Sequence, residues 1–180
     1  MRPINFTDPG TIATVVESYA FWRVKEGAMG LPQIGTPWEI YAHPRTPFVA
    51  RFVGQMNFLS AVASARGGWA RVGDAELRHQ PGFEASSGSA VTLAIRPEEI
   101  AVGPLALGVP NGLTARIASV QFLGPFTRLA LAVEGDGGTA LECDVAATAF
   151  TALGVGEGAR VPISLAPEAL RAFPSAGAVP

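Results

Sequence analysis

The sequence predicts a mainly β protein in which two like halves close into a small barrel or sandwich, preceded by two short helices. Three observations carry this expectation. Residues 91–100 read Val-Thr-Leu-Ala-Ile-Arg-Pro-Glu-Glu-Ile, and residues 161–170 read Val-Pro-Ile-Ser-Leu-Ala-Pro-Glu-Ala-Leu. Each is an alternating apolar strand followed by Pro-Glu and a further aliphatic residue. Leu59-Ser60-Ala61-Val62-Ala63-Ser64 is echoed in the same way by Leu113-Thr114-Ala115-Arg116-Ile117-Ala118-Ser119, with one residue inserted. Short apolar runs are separated by turn chemistry at Gly67-Gly68, Asp136-Gly137-Gly138 and Gly156-Glu157-Gly158. Internal repetition decides architecture before local propensity does. It points to two related β halves, roughly 40 and 60 residues long, and away from a catalytic α/β domain.

In chain order, residues 1–33 match no pattern: Asp8-Pro9-Gly10 is a turn, Thr11 to Trp22 fits neither the helical nor the strand period, and Gly27, Gly30 and Pro32 break the stretch after it. Residues 34–58 form a helical junction. Thr36-Pro37-Trp38-Glu39 is a capping box with proline at the first helical position, and Pro44 ends that helix. Thr46-Pro47 starts a second helix whose pairs Phe48/Phe52 and Val49/Val53 form one apolar stripe, expected to be a core contact, with Gly54 closing it. Residues 59–173 form the β body, with strands expected at 59–64, 68–72, 75–79, 90–95, 98–102, 113–122, 126–133, 139–145 and 160–165. Residues 81–89 are a polar loop, and 174–180 a tail expected to fray.

Composition narrows the function classes. Hydrophobic residues make up 48% of the 180 and the net charge is −2, so a packed core is expected and a basic nucleic-acid footprint is not. Trp69, Phe83, Phe122, Phe126 and Phe150 are therefore expected to be core bulk, since base stacking wants a basic groove beside it. No apolar run reaches the about 18 residues of a membrane span, so no direct membrane insertion is expected. No apolar region comes after Arg2, so no signal peptide is expected either, and the expected location is cytoplasmic. Cys143 is the single cysteine, which excludes an internal disulfide and a multi-cysteine metal site. Flanked by Glu142 and Asp144, it reads as a buried small hydrophobe whose thiol is held protonated. His43 at a helix end and His79 beside Gln80-Pro81 have no companion ligands in sequence, so neither a metal nor a catalytic residue is assigned.

The junction carries a resemblance. Gln33-Ile34-Gly35-Thr36-Pro37, Glu39-Ile40-Tyr41, Pro44, Phe48-Val49-Ala50, Phe52-Val53-Gly54 and Asn57-Phe58-Leu59 are similar to the segment joining the ATPase core to the C-terminal accessory domain in the import ATPases of bacterial ABC transporters. The subgroup is the one handling polyamines, ferric iron, sugars and phosphonates. Arg96-Pro97-Glu98, and Gln121-Phe122-Leu123-Gly124 followed by Thr127-Arg128, resemble its transport-associated oligonucleotide/oligosaccharide-binding-like (TOBE) domain, nearest to the polyamine and aminoethylphosphonate branch. The resemblance covers about residues 33–173 and implies a duplicated OB-like small β-barrel of the TOBE/MOP type. The phosphate loop Gly-x-x-x-x-Gly-Lys-Ser/Thr and the Ser-Gly-Gly-Gln signature of the family's core do not occur in the chain. It therefore reads as the C-terminal piece of such an ATPase with a non-matching N-terminus, expected not to hydrolyse ATP alone, with ATP and Mg²⁺ belonging to the full-length family ATPase and no cofactor of its own.

The resemblance implies as partners an ABC ATPase core and the membrane subunits of a transporter, which would place the protein peripheral to the inner membrane, and a homodimer. A small-molecule ligand is the alternative: related duplicated barrels bind oxyanions at subunit interfaces, so a free-standing oxyanion-binding barrel is the second reading. No nucleic acid is expected. The ligand or interface candidates are Asn57, Arg96, Pro97, Glu98 and Arg128. Arg96 has two readings: a structural one, pairing with Glu98 or Glu99 or clamping carbonyls at a strand end, and a functional one in an anion pocket or subunit contact. Its repeat mate is Ala166, so the halves differ there. Pro97 and Pro167 are expected to enforce turns that Glu98 and Glu168 cap.

Overall fold

The structure, a computed structural model, describes residues 36–44, 46–135 and 139–175. The expectations for 1–33, for Gln33-Ile34-Gly35, for the turn at 136–138 and for the end of the tail lie outside these residues. The chain divides into two units, Met1–Gly54 and Gln55–Pro180.

Within the first unit the capping chemistry is as the sequence predicts. Helix α1 (Pro37–Ala42) starts where the Thr36 hydroxyl accepts the Glu39 N–H at 3.2 Å and the Glu39 carboxylate accepts the Thr36 N–H at 2.6 Å. It ends as the His43 N–H donates to the Glu39 carbonyl. Helix α2 (Pro47–Phe52) is capped by the Thr46 hydroxyl on the Val49 N–H. The apolar stripe differs from expectation. Ala50 is buried and Val49 and Val53 are half-buried, whereas Phe48 and Phe52 stack on each other at 6.2 Å and stay about four-fifths exposed. At about 100° per residue, Phe48 and Phe52 project away from the line through Ala50, so one six-residue helix cannot bury both pairs.

The second unit is two five-stranded antiparallel sheets. Its elements are β1 (Asn57–Ala63), β2 (Trp69–Val72), β3 (Ala75–Arg78), β4 (Ala90–Ile95), a 3₁₀ turn (Pro97–Glu99), β5 (Ile100–Val102) and a second 3₁₀ turn (Gly103–Ala106). They continue with β6 (Gly112–Phe122), β7 (Phe126–Val133), β8 (Ala140–Ala146), α3 (Ala147–Leu153), β9 (Arg160–Leu165) and β10 (Arg171–Pro174). The strands run β10-β4-β1-β2-β3 in one sheet and β5-β9-β6-β7-β8 in the other. Alternation drives the burial: β7 alternates half-buried and buried along its whole length, and β4 and β9 share one burial pattern position for position. Leu59, Leu93, Ile117, Leu129, Ile163 and Leu165 meet in a single core to which both sheets contribute.

The registers show the repeat at work. Leu59 faces Leu93 across β1–β4, and Leu113 faces Ile163 across β6–β9; Ser60 faces Thr92 as Thr114 faces Pro162. The residue inserted in the second copy is a β-bulge, the register of β6 on β7 shifting between Ile117 and Ser119. The strand after each Pro-Glu turn crosses to the other half. β5, which comes after the first-half strand β4, pairs with β9, and β10, which comes after the second-half strand β9, pairs with β4. Each sheet thus contains one strand supplied by its counterpart.

Several boundaries differ from expectation, β1 starting at Asn57 inside the expected junction 34–58 among them. The strand expected at 98–102 is a 3₁₀ turn and a three-residue strand, because Pro97 starts a turn that Glu99 closes. Helix α3 was not expected: Ala146 offers no side-chain cap, and its sequence mark is Gly154, left-handed at φ 61°. Residues 171–174 are paired strand, so the tail begins later than expected. Among the aromatic residues, Phe83 and Phe150 pack on the core, whereas Phe122, at the end of the eleven-residue β6, projects past the barrel and is 72% exposed.

Candidate functional site

The predicted site residues fall in three places in the second unit. Arg96 leaves β4 as the chain turns at Pro97, and it is 3% exposed. Its Nη1 donates to the Gln55 carbonyl at 3.1 Å, so it clamps a carbonyl at a strand end, as its structural reading has it. The turn is closed by Glu99 and not by Glu98: the Glu99 carboxylate accepts the Arg96 N–H at 3.4 Å. Three residues separate Arg96 from Glu99 and two from Glu98, and the reach back to the first amide of a turn is a three-residue reach. Burial pushes the Glu99 carboxyl above the ordinary glutamate range, as does neighbouring Glu98, while the Arg96 amide, Arg171 and the Arg96 charge pull it down. Arg171, on β10, is itself lowered mainly by burial.

Arg128 lies on β7 directly opposite Asp144 of β8. Its Nε and Nη2 each donate to an Asp144 carboxylate oxygen at 2.7 Å, and Glu142 stands 3.8 Å away. This bidentate fork occupies the guanidinium face that an anion would use.

Asn57 is 7% exposed at the start of β1. Its amide nitrogen donates to the Glu142 carbonyl at 2.8 Å, and its amide oxygen accepts the Glu142 N–H at 2.7 Å. Asn111 repeats the device. Its amide nitrogen donates to the carbonyls of Arg78 and Leu165, and its oxygen accepts the Arg78 N–H at 2.7 Å. Each asparagine clasps the edge strand of the opposite sheet, β8 for Asn57 and β3 for Asn111. Asn111 was not singled out from sequence, although the spacing that sets Leu59 against Leu113 also sets Asn57 against Asn111.

Cys143 is fully buried, its thiol donating to the Ile100 carbonyl at 3.2 Å, and burial together with Asp144 pushes its pKa up to about 12. His79 is buried with Nδ1 2.9 Å from the Gln80 carbonyl and its ring edge-on to Phe83. Among the described residues no group of three or more His, Cys, Asp or Glu side chains could hold a metal ion, and no helix is long and apolar enough to cross a membrane.

Cavities that open on this unit include two beside the residues just described. One, of about 530 Å³, lies between Trp69, with the Arg66 guanidinium 4.2 Å over its ring, and the loop at Phe83. The other, of about 420 Å³, lies over β5 and β9, between Glu99, Ala101, Ala166 and Glu168. Sequence reasoning missed the second because Ala101 and Ala166, where the other half has Arg171 and Arg96, carry no chemical signal.

Comparison with known proteins places these features. Residues 93–173 match the TOBE domain. The chain is 40% identical over 152 residues to the sulfate/thiosulfate import ATP-binding protein CysA 2 of Chromobacterium violaceum, covering 82% of this chain and 40% of that protein. It is 33% identical over 161 residues to the Fe(3+) ions import ATP-binding protein FbpC 2 of Rhizobium meliloti, covering 82% and 39%. It is 38% identical over 104 residues to the sn-glycerol-3-phosphate import ATP-binding protein UgpC of Vibrio cholerae, covering 57% and 26%. The chain thus spans about 40% of the length of the first two relatives. In fold it is similar to the cytoplasmic molybdate-binding protein ModG, with a TM-score of 0.57 and 17% identity over 66% of this chain and 95% of that one.

Proposed function

We propose that this chain, in which residues 93–173 are a TOBE domain, serves as the accessory C-terminal part of the ATP-binding subunit of an ABC importer. The observation that carries the reading is the pattern of coverage. Four-fifths of the chain aligns with import ATP-binding proteins, and it aligns with about two-fifths of them. In this reading the double barrel packs on an ATPase core in the cytoplasm, assembles as a homodimer, and stands at the membrane through the transporter's membrane subunits. The imported solute is an anion, a metal ion, a polyamine or a phosphonate. Hydrolysis of ATP belongs to the core. Pull-down and size-exclusion with an intact ATP-binding subunit test the reading: co-elution is expected, and failure to associate at any salt concentration would remove it. The 180-residue chain alone is expected to release no phosphate from ATP, and turnover above the blank would overturn that part.

A second reading, a free-standing oxyanion-binding barrel, has the likeness to ModG behind it, which at this identity is a likeness of fold. Calorimetry with molybdate, sulfate and a phosphonate separates the two readings, and a saturable heat with any of them would favour the second.

A further inference from the structure

The repeat gives each residue of one half a mate in the other, and the mates of two arginines are alanines. Arg171 faces Ala94 across β10–β4 as Ala101 faces Ser164 across β5–β9, so Arg171 corresponds to Ala101 and Arg96 to Ala166. In the first half the Arg96 guanidinium is buried on the Gln55 carbonyl. The spacing that pairs Asn57 with Asn111 makes Val109 the mate of Gln55. Where the first half has its guanidinium, the second half has the cavity of about 420 Å³, lined by Ala101, Ala166, Val109 and Pro110 among others.

The charges change with the volume. Glu99, whose mate is Ala169, lines the cavity together with Glu168, and Arg78 and His79 line it too. Glu99 already lies in the field of Arg96 and Arg171, so Glu168 is the carboxylate that a cation in the cavity would pair with. The backbone of Arg78 is already held by Asn111. Carboxylates and carbonyls only accept hydrogen bonds, so the Glu168 carboxylate and the Val109 carbonyl, mate of the Gln55 carbonyl that Arg96 uses, suit an N–H-rich cation. Leu105 and Val109 add an apolar wall suited to a methylene chain.

We propose that this cavity binds a small cation with a planar guanidinium head on a short alkyl arm, seated where the other half places its own Arg96. The inference stands on the repeat and the cavity, and it holds whether or not the chain works with an ATPase.

The test is calorimetry of the 180-residue chain with agmatine, and with its analogue bearing a neutral urea head on the same arm. Agmatine is expected to bind saturably, and about tenfold or more tighter than the urea analogue, because the charged head makes charge-assisted contacts. Glu168→Gln is expected to weaken agmatine by about tenfold through the same loss. Ala166→Arg supplies the missing side chain from within, so this variant is expected to fold with an unchanged or raised Tm and to show no agmatine heat. The proposal is overturned if agmatine gives no saturable heat, if the urea analogue binds equally, or if sulfate binds and Glu168→Gln strengthens it. It is also overturned if Ala166→Arg unfolds or still binds agmatine, since the cavity would then not be the site of a guanidinium.

Discussion

Asn57 and Asn111 each put a side-chain amide where a further strand would put its backbone, and so close two sheet edges that would otherwise stay open. Because Asn111 satisfies three backbone groups, one of them buried and two part-buried, Asn111→Ala is expected to cost about 2–4 kcal/mol, and Asn57→Ala, which frees two, about 1–3 kcal/mol. Urea denaturation of both variants measures this, and equal costs below about 0.5 kcal/mol would mean that water replaces the amides. Cys143 is expected to resist a thiol reagent at pH 8 until the protein unfolds, since a thiol with its pKa pushed up to about 12 is almost wholly protonated there. Rapid native labelling would contradict this. Glu99 carries a sign that can be worked out. Its carboxyl is raised in the folded state, so the folded protein holds the proton longer than the unfolded chain does. Stability is therefore complete below the ordinary glutamate pKa of about 4.3 and falls as pH rises through the window up to the raised value. Glu99→Gln is expected to flatten that decline, read from denaturation midpoints across the window, and a steeper decline in the variant would reverse the assignment.

At the level of elements, what was legible in the sequence was what repeats locally. The capping box at Thr36 and the Thr46-Pro47 start state their own helix starts, and the alternation in β4, β7 and β9 states which faces are buried. β10 was not legible, because Arg171-Ala172-Phe173-Pro174 is too short to alternate convincingly and its partner β4 lies far back in the chain. α3 was missed for want of a capping side chain, and the turn at Pro97 was placed on the wrong glutamate because Glu98 and Glu99 differ only in reach. Of the candidate site, Arg96 and Arg128 stood out by charge, whereas the cavity beside Ala166 is made by what alanine lacks. Removing the chain from Leu170 onward is expected to unfold the second unit, since Leu170 and Phe173 are buried and β4 loses a paired neighbour. Circular dichroism with thermal melting reports this, and a truncated chain that melted near the parent Tm would show β10 to be dispensable.

For the whole second unit, the exchange of β5 and β10 makes the two sheets interdependent. Neither half contains all the strands of its own sheet, and their apolar faces share one core. A single calorimetric transition is expected for Gln55–Pro180, and two resolved transitions would mean that each half folds alone. The same crossing has a consequence for ancestry. A gene encoding one half would produce a chain whose last strand has no place at home and finds one in a second copy, so its product would be a two-fold pair with traded ends. Duplication and fusion of that gene would turn the pair into one polypeptide without moving a strand, and would then let the twin positions evolve apart, as Arg96 and Ala166 have.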